Sequence, residues 1–122
     1  MRTEHQEQVS FFQRARKLLL GTEPQAIDLL FSIPNGGRRD SRTAASMKME
    51  GLKPGVPDIL FACPSGQYHG LFIEMKREKG GTLSAPQKRI ISSLRSAGYR
   101  VEVCRGCDEA MKIFSEYMDS AP

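Results

Sequence analysis

Asp58 and the run Glu74-Met75-Lys76 are the residues of this sequence best placed to do chemistry. Two positions apart in a strand, side chains leave the same face roughly 7 Å apart along it, so an extended segment points Glu74 and Lys76 the same way. Asp58 opens the apolar run Ile59-Leu60-Phe61-Ala62 and precedes Glu74 by sixteen residues. If the two segments pair antiparallel, Asp58 stands beside the end of the Glu74 strand, and two carboxylates meet an amine. Asp58, Glu74 and the Met75 carbonyl then offer oxygen donors, which Mg²⁺ and Mn²⁺ prefer to nitrogen or sulfur. Lys76 is expected to orient an attacking water and to offset negative charge developing on a phosphate. A further carboxylate from the first helix, Glu7 or Glu4, is expected to complete the shell directly or through water. Taken alone, Glu-x-Lys is in most proteins a surface ion pair at a strand end.

The elements that must position these groups follow from local pattern. A first helix is expected from Thr3 to Leu20, with Thr3 and Gln6 in capping-box spacing and Gly21 as its stop. Val9, Phe12, Arg16 and Leu19 mark one stripe of it and Phe11, Ala15 and Leu18 another, so it buries a broad face. Residues 27–33 read as a strand ended by Pro34-Asn35-Gly36-Gly37, and residues 43–50 as a short helix closed by Gly51. The Asp58 strand and a second strand from Tyr68 to Lys76 are expected to pair as a hairpin. Ser84 and Gln87 open a helix as a second capping box, with Gly98 as its C-cap. Tyr99 to Cys104 alternates as a strand, and Asp108 is expected to cap a last helix carrying Met111, Phe114, Tyr117 and Met118. The order predicts an α/β fold, a mixed β-sheet flanked by helices.

The chain of 122 residues leaves room for one domain, 1–122. With 39% hydrophobic and 26% charged residues it is composed like an ordinary globular protein. Its longest apolar runs fall far short of the roughly 20 residues that span a bilayer, and its polar N-terminus has no signal-peptide pattern, so a cytoplasmic location is expected. Lysine and arginine total 18 against 14 acids, for a net charge of +4. More informative than the sum are two basic clusters, Arg38, Arg39, Arg42, Lys48 and Lys53, then Lys76, Arg77, Lys79, Lys88 and Arg89. A basic surface around a small acidic centre suits a nucleic acid held near a metal. Cys104 and Cys107 form a CxxC, but Cys63, His5 and His69 supply no second ligand pair for zinc, and the three cysteines are expected to stay reduced.

Pro57-Asp58 followed by Glu74-Met75-Lys76 matches the PD-(D/E)xK nuclease pattern. Together with Glu4-His5-Gln6-Glu7-Gln8, Ile33-Pro34-Asn35-Gly36-Gly37, Gly55-Val56-Pro57-Asp58, Gly70-Leu71-Phe72-Ile73-Glu74-Met75-Lys76 and Leu83-Ser84-Ala85-Pro86-Gln87-Lys88, in that order, it resembles the VRR-NUC domain, the virus-type replication-repair nuclease module. The resemblance implies a restriction-endonuclease-like core and Mg²⁺- or Mn²⁺-dependent phosphodiester hydrolysis. It makes Asp58 and Glu74 metal ligands, Lys76 the catalytic lysine and Glu7 the helix-one acid, with Glu4 one turn away matching the same position. Gln87 matches the family's glutamine and would face the site, where its own sequence context makes it a helix cap. Asn35 reads as a turn residue.

Stand-alone members of the family resemble Holliday-junction resolvases, and larger eukaryotic members act on flaps. A single domain fits the phage or bacterial stand-alone type. A four-way junction has two-fold symmetry and takes two cuts, so a homodimer is expected. Without a sequence-reading element, DNA recognition is expected to rest on phosphates and shape. The alternatives are a flap-type nuclease and a DNA-binding module that keeps the fold without the chemistry. Asp58→Ala is expected to stabilise the chain by relieving carboxylate repulsion.

Overall fold

The structure, a computed structural model, describes residues 1–34 and 41–120, and for residues 41–44 the backbone alone. Asn35, Gly36, Gly37, Arg38 and Arg39, and the Arg42 side chain, lie outside that description.

Helix α1, Glu4–Thr22, starts with the capping box that its sequence spells. Thr3 Oγ1 accepts from the Gln6 N–H at 3.1 Å, and Gln6 Oε1 accepts from the Thr3 N–H at 2.9 Å. The helix runs past Gly21 and ends at Glu23. A glycine in the last turn of an exposed helix costs only about 1 kcal/mol relative to alanine and does not by itself stop it. Phe11, Phe12, Ala15 and Leu19 are buried, whereas Val9 is left open to solvent.

The strand expected over 27–33 is mostly absent. Pro24–Leu29 forms a 3₁₀ helix, and only Leu30–Ser32 continues as β1. Pro24 at the first helical position presets φ for a tight turn, and only Leu30, Phe31 and Ser32 take strand partners, opposite Phe61, Leu60 and Ile59. A short helix α2, Ser41–Met49, precedes β2, Ile59–Phe61. Then come β3, Leu71–Lys76, and helix α3, Ala85–Ser96, whose Ser84/Gln87 capping box is complete. The chain finishes with β4, Arg100–Arg105, and helix α4, Cys107–Asp119.

The four strands form one mixed sheet in the order β1-β2-β3-β4, antiparallel except for the parallel pair β3/β4. All six residues of β3 are buried, as an inner strand covered on both faces requires. Ile59, Phe61, Leu71, Ile73 and Met75 turn to the larger core with α1 and α4, where Phe11, Phe61, Phe114 and Tyr117 meet ring on ring. Phe72 and Val101 turn the other way, onto Ile91 of α3. Alternation along β3 therefore delivers Glu74 and Lys76 to the α3 face.

The last helix starts differently from the sequence expectation. Gly106, at φ +94°, is its N-cap, and Asp108 sits in the first turn, paired with Arg14 at 2.6 Å. Strand β4 runs on to Arg105, so one residue must turn the chain into the helix, in a backbone conformation that glycine adopts readily. No described helix is long and apolar enough to cross a membrane.

Candidate active site

Strand β3 outruns its antiparallel neighbour. Ile59 pairs with Ile73, so Glu74, Met75 and Lys76 extend beyond the end of β2. On that edge Asp58 replaces the missing strand, its Oδ2 accepting from the Met75 N–H at 2.8 Å. Amide and carbonyl of one strand residue leave by the same edge, so the Met75 carbonyl opens toward Asp58 as well. Lys76 uses the opposite edge, its carbonyl accepting from the Gly106 N–H at 2.9 Å.

The Glu74 side chain is 3% exposed and Lys76 8%, so this is not a solvated surface pair. Glu74 Oε2 lies 3.7 Å from Lys76 Nζ and accepts from Gln87 Nε2 at 3.1 Å. Gln87 also accepts at Oε1 from the Ser84 N–H at 2.8 Å. Its carboxamide therefore caps α3 with one end and holds Glu74 with the other. Glu74 Oε1 is buried and, among the described residues, has no hydrogen-bond partner.

Burial pushes the Glu74 carboxyl from its ordinary 4.5 up to about 8; the Asp58 charge adds to this, Lys76 pulls against it, and Glu4 adds a smaller push. A buried carboxylate and a half-buried one beside it repel each other without a shared proton or cation, and the cheapest remedy for the bare protein is to protonate one. An ion supplies the other remedy. Asp58, Glu74 and the Met75 carbonyl are all hard oxygen donors, and the buried Glu74 Oε1 finds no donor among the described residues, so the residues fit Mg²⁺ or Mn²⁺. Among the described residues no three histidine, cysteine or acidic side chains close around one point. Mg²⁺ is commonly held by one or two carboxylates and its own waters, whereas structural zinc needs the closed set.

The two glutamates of the first helix part company. Glu4 is exposed and lines a groove together with Asp58. Glu7, the residue expected to bind metal, is buried where β4 gives way to α4: its Oε1 accepts from the Cys107 N–H at 3.1 Å and pairs with Arg2 at 3.2 Å. A carboxylate at the start of α4 satisfies an orphan amide and favours the helix dipole. That contact occupies Glu7 at the helix start, whereas Glu4 shares the groove with Asp58 and its charge is felt at Glu74. Cys63, Cys104 and Cys107 are free thiols. Cys104 is a core residue whose burial pushes its thiol up to about 12, so it is no nucleophile at neutral pH.

One positioning residue is invisible in the sequence. Arg105 donates to the carbonyls of Gly80 at 2.5 Å and Gly81 at 3.0 Å, pinning the loop that leaves Lys76. Nothing in composition or spacing links position 105 to that loop; only the parallel pairing of β3 with β4 does. Exposed Arg77, Lys79, Lys88 and Arg89 belong to the segments that border the site.

A raised carboxyl pKa stabilises the fold only while the proton is held. Between about 4.5 and about 8 the folded chain keeps a proton at Glu74 that the unfolded chain has released, so stability falls with rising pH across that window. In EDTA, the melting temperature is expected to decline from about pH 5 to about pH 9, and excess Mg²⁺ or Mn²⁺ to flatten the decline by favouring the ionised form. Thermal unfolding followed by circular dichroism at both pH values checks this.

Comparison with known proteins adds three findings. A family model described as the VRR-NUC domain matches residues 8–108. A solved structure described as a VRR_NUC domain protein is similar, with a TM-score of 0.86 and 26% identity over 99% of this chain and 92% of that one. No curated protein matches.

Proposed function

Because the chain belongs to the VRR-NUC domain family, and is thereby a nuclease domain acting on DNA phosphodiesters, we propose that it is a Mg²⁺- or Mn²⁺-dependent, structure-specific endonuclease centred on Asp58, Glu74 and Lys76. The observation that carries the reading is the buried Glu74 carboxyl with its unpartnered Oε1 beside Asp58. A site that holds two carboxylates together at a cost to the bare fold is built for a cation.

Each residue has a defined task. Asp58, Glu74 and the Met75 carbonyl hold the ion, and Glu4 adds a carboxylate from α1 at the rim. A divalent cation bound there supplies Lewis-acid stabilisation of the phosphate and a water of lowered pKa. Gln87 fixes the Glu74 carboxylate by the bond at 3.1 Å, so that one oxygen is committed and the other is free for the ion. Lys76 is held beside Glu74 with its ammonium at 3.7 Å. There it orients the attacking water and offsets charge on the pentavalent phosphorus. The exposed cations on the bordering segments receive flanking phosphates without reading bases.

The substrate we favour is a four-way junction cut by a homodimer, because two-fold DNA symmetry calls for two matched sites. Labelled four-way junction, 5′-flap and linear duplex, each with Mn²⁺, Mg²⁺ or EDTA, test the reading in wild type and Lys76→Ala. Expected are paired symmetric nicks on the junction, absent in EDTA, and a loss of about 10²-fold or more in Lys76→Ala with binding retained. If the junction is bound but nothing is cut with any metal, a non-catalytic DNA-binding module replaces the nuclease. Faster cutting of the flap would select the flap-type alternative, and a monomer by light scattering at micromolar concentration would count against the dimer.

The helix-one acids separate in the same assay. Glu4→Gln is expected to lower metal-dependent cleavage about tenfold with little change in melting temperature, because Glu4 is exposed. Glu7→Gln is expected to cost roughly 1–2 kcal/mol of stability through the cap on α4. The reverse pattern would return Glu7 to the metal shell.

A further inference from the structure

A groove of about 850 Å³ opens beside the site, between α1 and the edge of the sheet. Glu4 and Asp58 line one end of it, and Arg16, three helical turns and about 18 Å along α1, lines the other. Phe12 and Phe31 lie between. Phe31 is 43% exposed, on the outermost strand, and the Arg16 guanidinium lies 5.0 Å from the centre of the Phe12 ring. A large aromatic left half open beside a charged site calls for an occupant. The groove falls within the size range of small-ligand pockets, about 300–1,000 Å³.

Its chemistry selects among occupants. Aromatic faces next to a guanidinium are what takes up unpaired nucleobases: the ring stacks on the base and the cation meets a phosphate or stacks in turn. The amide of Gln8, also on the groove, adds a donor and an acceptor for a base edge. Bases inside a duplex keep both faces stacked on their neighbours, so only a nucleotide out of the stack can use Phe31. The groove is continuous with the carboxylates, hence with the strand to be cut.

We propose that this groove receives an unpaired nucleotide of the DNA strand whose phosphate lies at Asp58 and Glu74, with its base stacked on Phe31. The proposal rests on the nuclease reading and deepens it: among branched substrates it favours those in which a nucleotide leaves the stack beside the scissile phosphate, as at an opened junction branch point or a flap.

The test reads binding, in EDTA, so that it stands apart from cleavage. Blunt duplex and duplex with a single-stranded overhang containing 2-aminopurine are titrated with wild type, Phe31→Ala, Phe31→Trp and Arg16→Gln. Wild type is expected to favour the overhang about tenfold and to change the 2-aminopurine fluorescence. The overhang-to-blunt ratio is expected to fall about tenfold in Phe31→Ala and to be kept in Phe31→Trp. Arg16→Gln, on another element, is expected to lower the ratio too and carries the test if Phe31→Ala does not fold. A wild-type ratio near one, or a ratio untouched by the folded variants, overturns the proposal. If the ratio behaves as expected but no DNA is cut with metal, the groove stands and the nuclease reading falls; metal-dependent cutting with a ratio of one has the opposite meaning.

Discussion

Glu74→Gln is expected to lower metal-dependent cleavage by roughly 10²–10³-fold or more and, in the same protein without metal, to raise the melting temperature above that of wild type at alkaline pH. Glutamine has the shape of a protonated glutamate. Its carbonyl accepts from Gln87 as Glu74 Oε2 does, and its amide offers Asp58 the proton that an ionised Glu74 lacks. The difference in stability is expected to be small near pH 5, where wild-type Glu74 still holds its proton, and to grow until pH passes about 8. Added Mg²⁺ is expected to reverse the order, because only the wild type gains binding energy from it. A variant that melts below wild type at pH 9 in EDTA would show that the carboxylates are not in conflict. Asp58→Ala, by contrast, is not expected to give the stabilisation anticipated from charge alone, since it leaves the Met75 N–H without its acceptor at 2.8 Å.

The second large effect is on the fold. Gly55 stands at φ +94°, and a Cβ there would fall 2.6 Å from the Pro86 carbonyl carbon and 2.8 Å from the Gln87 nitrogen. Both obstacles are backbone and cannot swing aside. Gly55→Ala is therefore expected to cost at least about 2 kcal/mol, from the backbone conformation and the overlap together. The loop that carries Asp58 must then lift from the start of α3, which parts Asp58 from the Gln87 that holds Glu74. Cleavage is expected to fall about tenfold or more even at temperatures where the variant stays folded. A variant with wild-type melting and turnover would show that this loop and α3 need not touch.

What the sequence revealed, and what it hid, divides by the range of the interactions. Both capping boxes were legible because Thr3 with Gln6 and Ser84 with Gln87 involve residues three apart and a fixed chemistry. The meeting of Asp58 with Glu74 was legible because an antiparallel pair has a two-residue period, and a slip of one residue would put Ile59 and Ile73 on opposite faces. Gln87 offered two readings that exclude each other only if one overlooks that a carboxamide accepts at one end and donates at the other. The helix-one acid was not legible. Glu4 and Glu7 are one turn apart, and which of them approaches the site depends on the roll of α1 over the sheet, which no local pattern encodes; the Cys107 amide that takes up Glu7 lies 100 residues away. Residues 27–33 carried a strand's composition, but Pro24 and the brevity of the edge it could pair with put Ile27 to Leu29 into a 3₁₀ helix and left a strand of three.

The bond from Glu7 to Cys107 joins positions 100 residues apart. Contacts of that separation form late, because a long stretch of chain must be ordered before they repay the closure. A ribosome adding about 5–20 residues per second has delivered Asp58, Glu74, Lys76 and Gln87 well before it reaches Cys107. The growing chain thus holds the chemical groups of a DNA-cutting centre while the anchor that fixes the first turn of α1 is still unmade. Chains that end before α4 carry the whole acidic motif yet lack the amide that takes up Glu7, and they are expected to cleave more weakly than chains that include it.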